Sequence, residues 1–122
     1  EMCGIGPFVP HKDTKFKNEN HGDVSLVLML LSIIRLLKPN ILLPATTALG
    51  TVDPLGREKG ILHGANVVMP NLSPVKHRKD YSLYDNKICT GDEAAQCIGC
   101  LADRMKKIGC EIVTDRGDYT EE

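Results

Sequence analysis

The chain has 122 residues and a mass of 13.4 kDa, room for one domain or a piece of one. Its 15 Lys and Arg against 16 Asp and Glu leave a formal charge of -1, which removes any global electrostatic pull toward nucleic acid or an anionic membrane. Apolar residues at 42% and charged residues at 25% exclude a disordered chain, and 4% aromatics without Trp leave the core to Leu, Ile, Val and Met.

The segment Met2 to Val9 is expected to be a short buried strand that runs into a Gly/Pro turn. Residues 10–22 are polar and read as a loop, and Asp23 stands where a helix N-cap belongs. From Val24 to Leu37 apolar residues nearly encircle a helix that Pro39 ends; length decides for helix over strand. This run is broken by Arg35 and falls short of the ~18 apolar residues of a membrane span. No basic segment leads into a hydrophobic stretch near the start, so no signal peptide is expected. The 5 Cys then point to a reducing, cytoplasmic setting with metal or redox chemistry rather than disulfides.

Residues 41–47 read as a second strand, covered on both faces as in a parallel sheet. A turn-rich connection over 50–56, a short helix over 57–63 stopped by Gly64, and a third strand over 65–69 follow. A loop over 72–86, a helix over 92–108 stopped by Gly109, and a frayed polar tail over 115–122 complete the chain. Strand and helix alternate three times, which implies right-handed crossovers and an α/β fold with a parallel sheet. Three such units fit either a small doubly wound domain or part of a barrel of about 250 residues. The nearly all-apolar helix 24–37 favours the barrel, because a complete small domain would give it a polar face; the start at Glu1, directly ahead of a strand, reads the same way.

The sharpest chemical signal is Cys89-x7-Cys97-x2-Cys100. Cys97 and Cys100 stand one helical turn apart, and Cys89 precedes the helix. Three thiolates suit an iron–sulfur cluster, or a zinc with His77 or Cys110 as fourth ligand; the bland alternative is three small apolar core residues. Thr46 and Thr47 close the second strand, where two hydroxyls can bind an anion or simply fill a strand end. Met2 and Met69, on the first and third strands, read as core filler before ligand contacts. Tyr81-x2-Tyr84 lies in the loop after the third strand, as a stacking or hydrogen-atom-passing pair or as surface tyrosines. Gly4-Ile5-Gly6-Pro7 lacks the third glycine of a dinucleotide fingerprint. The basic run 76–79 reads as a solvated loop, and His11 with Asp13 as a loop turn. No P-loop or Ser/His/Asp order supports a kinase or hydrolase.

Taken together, these motifs resemble a known family. Cys3-Gly4-Ile5-Gly6-Pro7-Phe8-Val9-Pro10-His11 with Asp13-Thr14 is similar to the sixth-strand signature of the radical-SAM maturases of [FeFe]-hydrogenase, relatives of biotin synthase. Residues 44–51 resemble the seventh strand and residues 64–71 the eighth; Tyr81, Tyr84, Lys87-Ile88-Cys89 and Cys97-x2-Cys100 follow in the family's order. The resemblance implies the C-terminal part, about strands six to eight, of a (β/α)8 barrel. Residues 1–114 would form that part, with a Cys-containing extension over 85–110, and 115–122 its tail. It implies an enzyme that binds a [4Fe-4S] cluster and S-adenosylmethionine and attacks an organometallic iron precursor with a 5′-deoxyadenosyl radical. Other hydrogenase maturation proteins are the implied partners, with no nucleic acid and no membrane. Carried onto this chain, Met2 and Tyr81 would line the S-adenosylmethionine site, Thr46, Thr47 and Met69 the substrate cavity, and Tyr84 would lie near the radical chemistry. Cys89, Cys97 and Cys100 would hold an accessory iron–sulfur cluster found in some members.

The departures are as specific. The chain has no Cys-x3-Cys-x2-Cys for the radical-generating cluster and lacks the first five strands, so it is expected to be inactive alone. Lys15 stands where members often have Pro. Competing readings are a 3-methylornithine or biotin synthase relative on the same barrel, and a stand-alone iron–sulfur or zinc module.

Overall fold

A computed structural model describes residues 1–81, 83–88 and 97–119. Helix α1 spans Val24–Leu37; the Asp23 carboxylate accepts from the Ser25 amide at 2.7 Å, and the Lys38 amide closes the last turn on the Ile34 carbonyl. Strand β1 is Pro44–Ala45, helix α2 Thr47–Val52, helix α3 Gly56–Leu62 and strand β2 Val67–Val68. A 3-10 turn covers Val75–Tyr81, and helix α4 covers Cys97–Lys107.

β1 and β2 pair in parallel, Pro44 opposite Val67 and Ala45 opposite Val68. Ahead of them Met2 bridges Leu42, also in parallel: the Cys3 amide donates to the Leu42 carbonyl and the Leu42 amide to the Glu1 carbonyl, both at 2.9 Å. Three parallel segments therefore lie side by side in chain order, the arrangement that the alternation of strand and helix predicts. The core is Val27 and Leu31 of α1, Leu43 and Ala45 of the sheet, Leu49 of α2 and Ala65 ahead of β2. Gly60 lets α3 settle on β1, since a β-carbon there would stand 3.2 Å from the Ala45 methyl.

Several elements differ from the sequence expectation. The first strand shrinks to the bridge at Met2, because Gly4 and Gly6 gain little from pairing and Pro7 has no amide to donate. The second and third strands pair only over 44–45 and 67–68. The turn-rich connection holds helix α2, started by the Thr46 hydroxyl, which accepts from the Leu49 amide at 3.2 Å. The helix expected over 57–63 is α3, and the loop 72–86 contains the 3-10 turn. The helix expected over 92–108 is observed as α4; residues 92–96 lie outside the described residues. Both glycine stops hold: Gly64 and Gly109 have φ of +104° and +76°, and the amides of Ala65 and Cys110 reach back five residues to the carbonyls of Gly60 and Met105. Residues 113–118 are exposed, and the Tyr119 ring centroid lies 5.5 Å from the Lys38 ammonium.

Two flanks of this ribbon carry uncovered apolar surface. On α1, Leu26, Met29, Ile33, Leu36 and Leu37 are exposed, the last two at 81% and 80%. The one charged residue of α1, Arg35, donates to the carbonyls of Gly64 and Pro39, so the outer face of the helix carries no charge. Beyond β2 a cavity of about 580 Å³, lined by Val67, Val68, Ile112 and Val113 among others, separates the strand from the C-terminal segment.

Helix α4 buries Leu101 and Met105, and Arg104 grips Glu58 of α3 with two nitrogens, Nη2 to Oε2 at 2.6 Å, and donates to the Pro54 carbonyl. Burial pushes the Glu58 carboxyl up, but the hydrogen bonds and charge of Arg104, with the nearby Arg57 charge, outweigh it and hold it below the usual carboxylate range. A lowered carboxyl stabilises the fold above its unfolded pKa and withdraws that support as pH falls through its folded value. The urea midpoint followed by circular dichroism should therefore drop between pH 6 and pH 3.5. Glu58→Gln should remove part of that drop; an unchanged drop would show that the pair does not contribute.

Candidate functional site

Parallel α/β sheets place their sites at the carboxyl ends of the strands, where the loops that follow converge. Here that end is built around Thr46. A β-carbon on Gly6 would stand 2.7 Å from the Thr46 Oγ1, so the backbone of the first segment passes directly beside the threonine. Carrying the β1–β2 register one residue beyond Ala45 and Val68 brings Thr46 level with Met69. Gly6, Thr46 and Met69 thus form one row across three segments. Thr47, half-buried, opens α2, and its carbonyl accepts from the Thr51 hydroxyl.

The loops fold over this rim. The Asp85 amide donates to the Pro10 carbonyl at 3.0 Å, and the Ile88 amide to the Thr51 hydroxyl at 3.3 Å, so the segment after β2 is tied back to the first and second units. Between them lies a cavity of about 360 Å³, whose lining includes Val9, His21, Thr51, Asp85 and Asn86. Asn86 takes a left-handed φ of 57° there, a conformation asparagine tolerates better than most residues.

Of the residues singled out from sequence, Thr46, Thr47 and Met69 come together at this rim. Met2 does not; it pairs with Leu42, four residues toward the amino end of the ribbon, and is 55% exposed. Tyr81 ends the 3-10 turn at 59% exposure, and its carbonyl accepts from the Lys87 ammonium at 3.1 Å. Tyr84 is half-buried in the loop that follows.

At the thiol cluster, Cys97 and Cys100 occupy the first turn of α4, and the Cys100 thiol is free and exposed. Cys89 lies outside the described residues, and among those described no three His, Cys, Asp or Glu side chains stand together as a metal site. Of the two fourth-ligand candidates, His77 faces Asp80 at 3.5 Å, while the half-buried Cys110 thiol lies 3.9 Å from the Ile108 carbonyl. Cys97 and Cys100 stand one turn apart along α4, and thiolates are the soft donors that iron–sulfur and zinc groups take. The radical-generating [4Fe-4S] cluster does not fit this chain, because no Cys-x3-Cys-x2-Cys exists in it.

Sequence reading missed Gly6 as the neighbour of Thr46, Thr46 as a helix cap, and the Glu58–Arg104 pair. The cap had a signal, a threonine just before a helical run. The ion pair, 46 residues apart in the chain, had none.

Over 117 residues, 96% of its length, the chain is 45% identical to the [FeFe] hydrogenase maturase subunit HydE of Thermotoga maritima. The chain is similar to HydE. It spans about a third of that protein's length, 34%. No family model matches it. Among the described residues no helix is long and apolar enough to cross a membrane. The resemblance drawn from the strand-end motifs thus meets a HydE maturase in near end-to-end similarity of this chain.

Proposed function

We propose that this chain forms the C-terminal part, about strands six to eight with their helices, of a (β/α)8 radical-SAM maturase of [FeFe]-hydrogenase. The observation that carries the reading is the 45% identity across 96% of the chain to HydE. The parallel order of its three segments, and the two apolar flanks where further units would pack, support it. In this reading the whole enzyme works in the cytoplasm on an organometallic iron precursor, alongside other hydrogenase maturation proteins. The [4Fe-4S] cluster, held outside this chain, together with S-adenosylmethionine would supply a 5′-deoxyadenosyl radical when bound.

This chain's own share is the floor and wall of the substrate cavity. Thr46 and Thr47 offer hydroxyls at the rim, with Met69 as an apolar neighbour. Gly6 keeps the wall beside Thr46 free of a side chain. Met2 and Tyr81 contribute to the S-adenosylmethionine site and Tyr84 to the region of the radical chemistry. Cys89, Cys97 and Cys100 hold an accessory iron–sulfur cluster that the core reaction does not need.

The test is a chimera in which this chain replaces the matching segment of Thermotoga maritima HydE. Under reduction it should release 5′-deoxyadenosine from S-adenosylmethionine and support hydrogenase maturation, while the isolated chain does neither. A soluble, cluster-loaded chimera without either activity would overturn the reading.

A further inference from the structure

We infer that Gly6 is a positioning residue for the Thr46 hydroxyl, which it holds as a hydrogen-bond donor toward an acceptor atom of the substrate; the inference rests on the substrate cavity proposed above. The backbone does not demand a glycine at position 6, since its φ lies outside the left-handed region that Gly64, Gly109 and Gly117 occupy. Nor does Gly6 seat a packed element as Gly60 seats α3. Position 6 is exposed, and the atoms nearest to a β-carbon there all belong to Thr46. Oγ1 would lie 2.7 Å away, and the β-carbon and Cγ2 of Thr46 3.5 Å. The missing side chain thus makes room for one half-buried hydroxyl.

The staggered orientations of a threonine side chain put Oγ1, Cγ2 or the β-hydrogen toward a given neighbour. Here Oγ1 faces Gly6 and at the same time accepts from the Leu49 amide at 3.2 Å. A methyl group on residue 6 leaves room only for the hydrogen, so it swings the hydroxyl off the amide and out of its present direction. A hydroxyl carries one donor hydrogen and two acceptor lone pairs. The cap bond takes a lone pair, and among the described residues nothing accepts the hydrogen. What Thr46 offers the cavity is therefore a donor, fixed by the cap on one side and by the bare backbone of Gly6 on the other. It suits a ligand that presents a lone pair or a negative charge.

The experiment uses the chimera of this chain with Thermotoga maritima HydE and varies the organometallic iron precursor. KM and kcat for substrate-dependent release of 5′-deoxyadenosine, and amide exchange at Leu49, are compared for wild type, Gly6→Ala, Thr46→Ser, Thr46→Ala and the double variant Gly6→Ala with Thr46→Ala. Gly6→Ala should raise KM about tenfold, the worth of one hydrogen bond, with a smaller change in kcat and faster exchange at Leu49. Thr46→Ser, which keeps both the hydroxyl and the cap, should stay near wild type. In the Thr46→Ala background no Oγ1 meets the new methyl group, so Gly6→Ala should add almost nothing there, as expected when two changes remove one interaction. A Gly6→Ala chain that fails to fold, read by far-UV circular dichroism, should regain its fold in the double variant; a double variant that also fails would overturn the inference. An unchanged KM in folded Gly6→Ala, or an equal rise in both Thr46 backgrounds, would overturn the positioning role and leave the proposed enzyme standing. A wild-type chimera without activity would overturn the reading and the inference together.

Discussion

Gly56→Ala should unfold the chain at a much lower urea concentration than wild type, with a loss of about 3 kcal/mol or more. A β-carbon at position 56 would stand 2.2 Å from the Leu49 carbonyl oxygen and 2.7 Å from its carbon. Both are backbone atoms, so no side-chain rotation relieves the collision; α2 and α3 must move apart. Leu49 is fully buried in the core, and any such shift also disturbs the seat of α3 on β1. Against a stability of ~5–15 kcal/mol for a folded domain, this is a large fraction. Gly4→Ala is the matched control: nothing lies within 4 Å of its β-carbon, and its effect should stay within ~0.5 kcal/mol. Equal midpoints for the two variants, read by circular dichroism, would show that the α2–α3 approach is looser than described.

The second large effect concerns α1. A helix apolar on all sides is stable only when it is covered, and Leu26, Met29, Ile33, Leu36 and Leu37 are not covered within this chain. The isolated chain should therefore associate in solution, hiding these side chains against other copies. The triple variant Met29→Lys, Leu36→Lys, Leu37→Lys should shift sedimentation toward the monomer while helix content stays the same, since lysine is a good helix former and all three positions are exposed. A wild-type chain that sediments as a single monomer would show that the apolar face is tolerated in water.

Much of the fold was legible because it rests on strong local signals. Asp23 capping, the length of the apolar run to Leu37, and Gly64 and Gly109 as helix stops all reappear in the structure. The parallel order of the three segments was legible from alternation alone. Strand lengths were not, because pairing depends on neighbours: apolar residues at 5, 41 and 42 read as strand, yet regular pairing is confined to four residues of β1 and β2. Helix α2 was hidden by Gly50 and Thr51, residues typical of turns, which the Thr46 cap and the burial of Leu49 override. At the candidate site the two threonines and Met69 were legible as strand ends. The contact of Gly6 with Thr46 was not, because it follows from the register between chain segments forty residues apart. Glu58 and Arg104, 46 residues apart in the chain, meet only through the packing of α4 on α3, which no local pattern signals.

Thermal melting of the chimera that carries this chain in place of the matching HydE segment tests the central claim most directly. A ring completed by these three units should be monomeric and melt in one cooperative transition, with the face of α1 protected from amide exchange and the flank beyond β2 closed. Two independent transitions, or an α1 that exchanges as fast in the chimera as in the isolated chain, would contradict the placement of these units in a barrel.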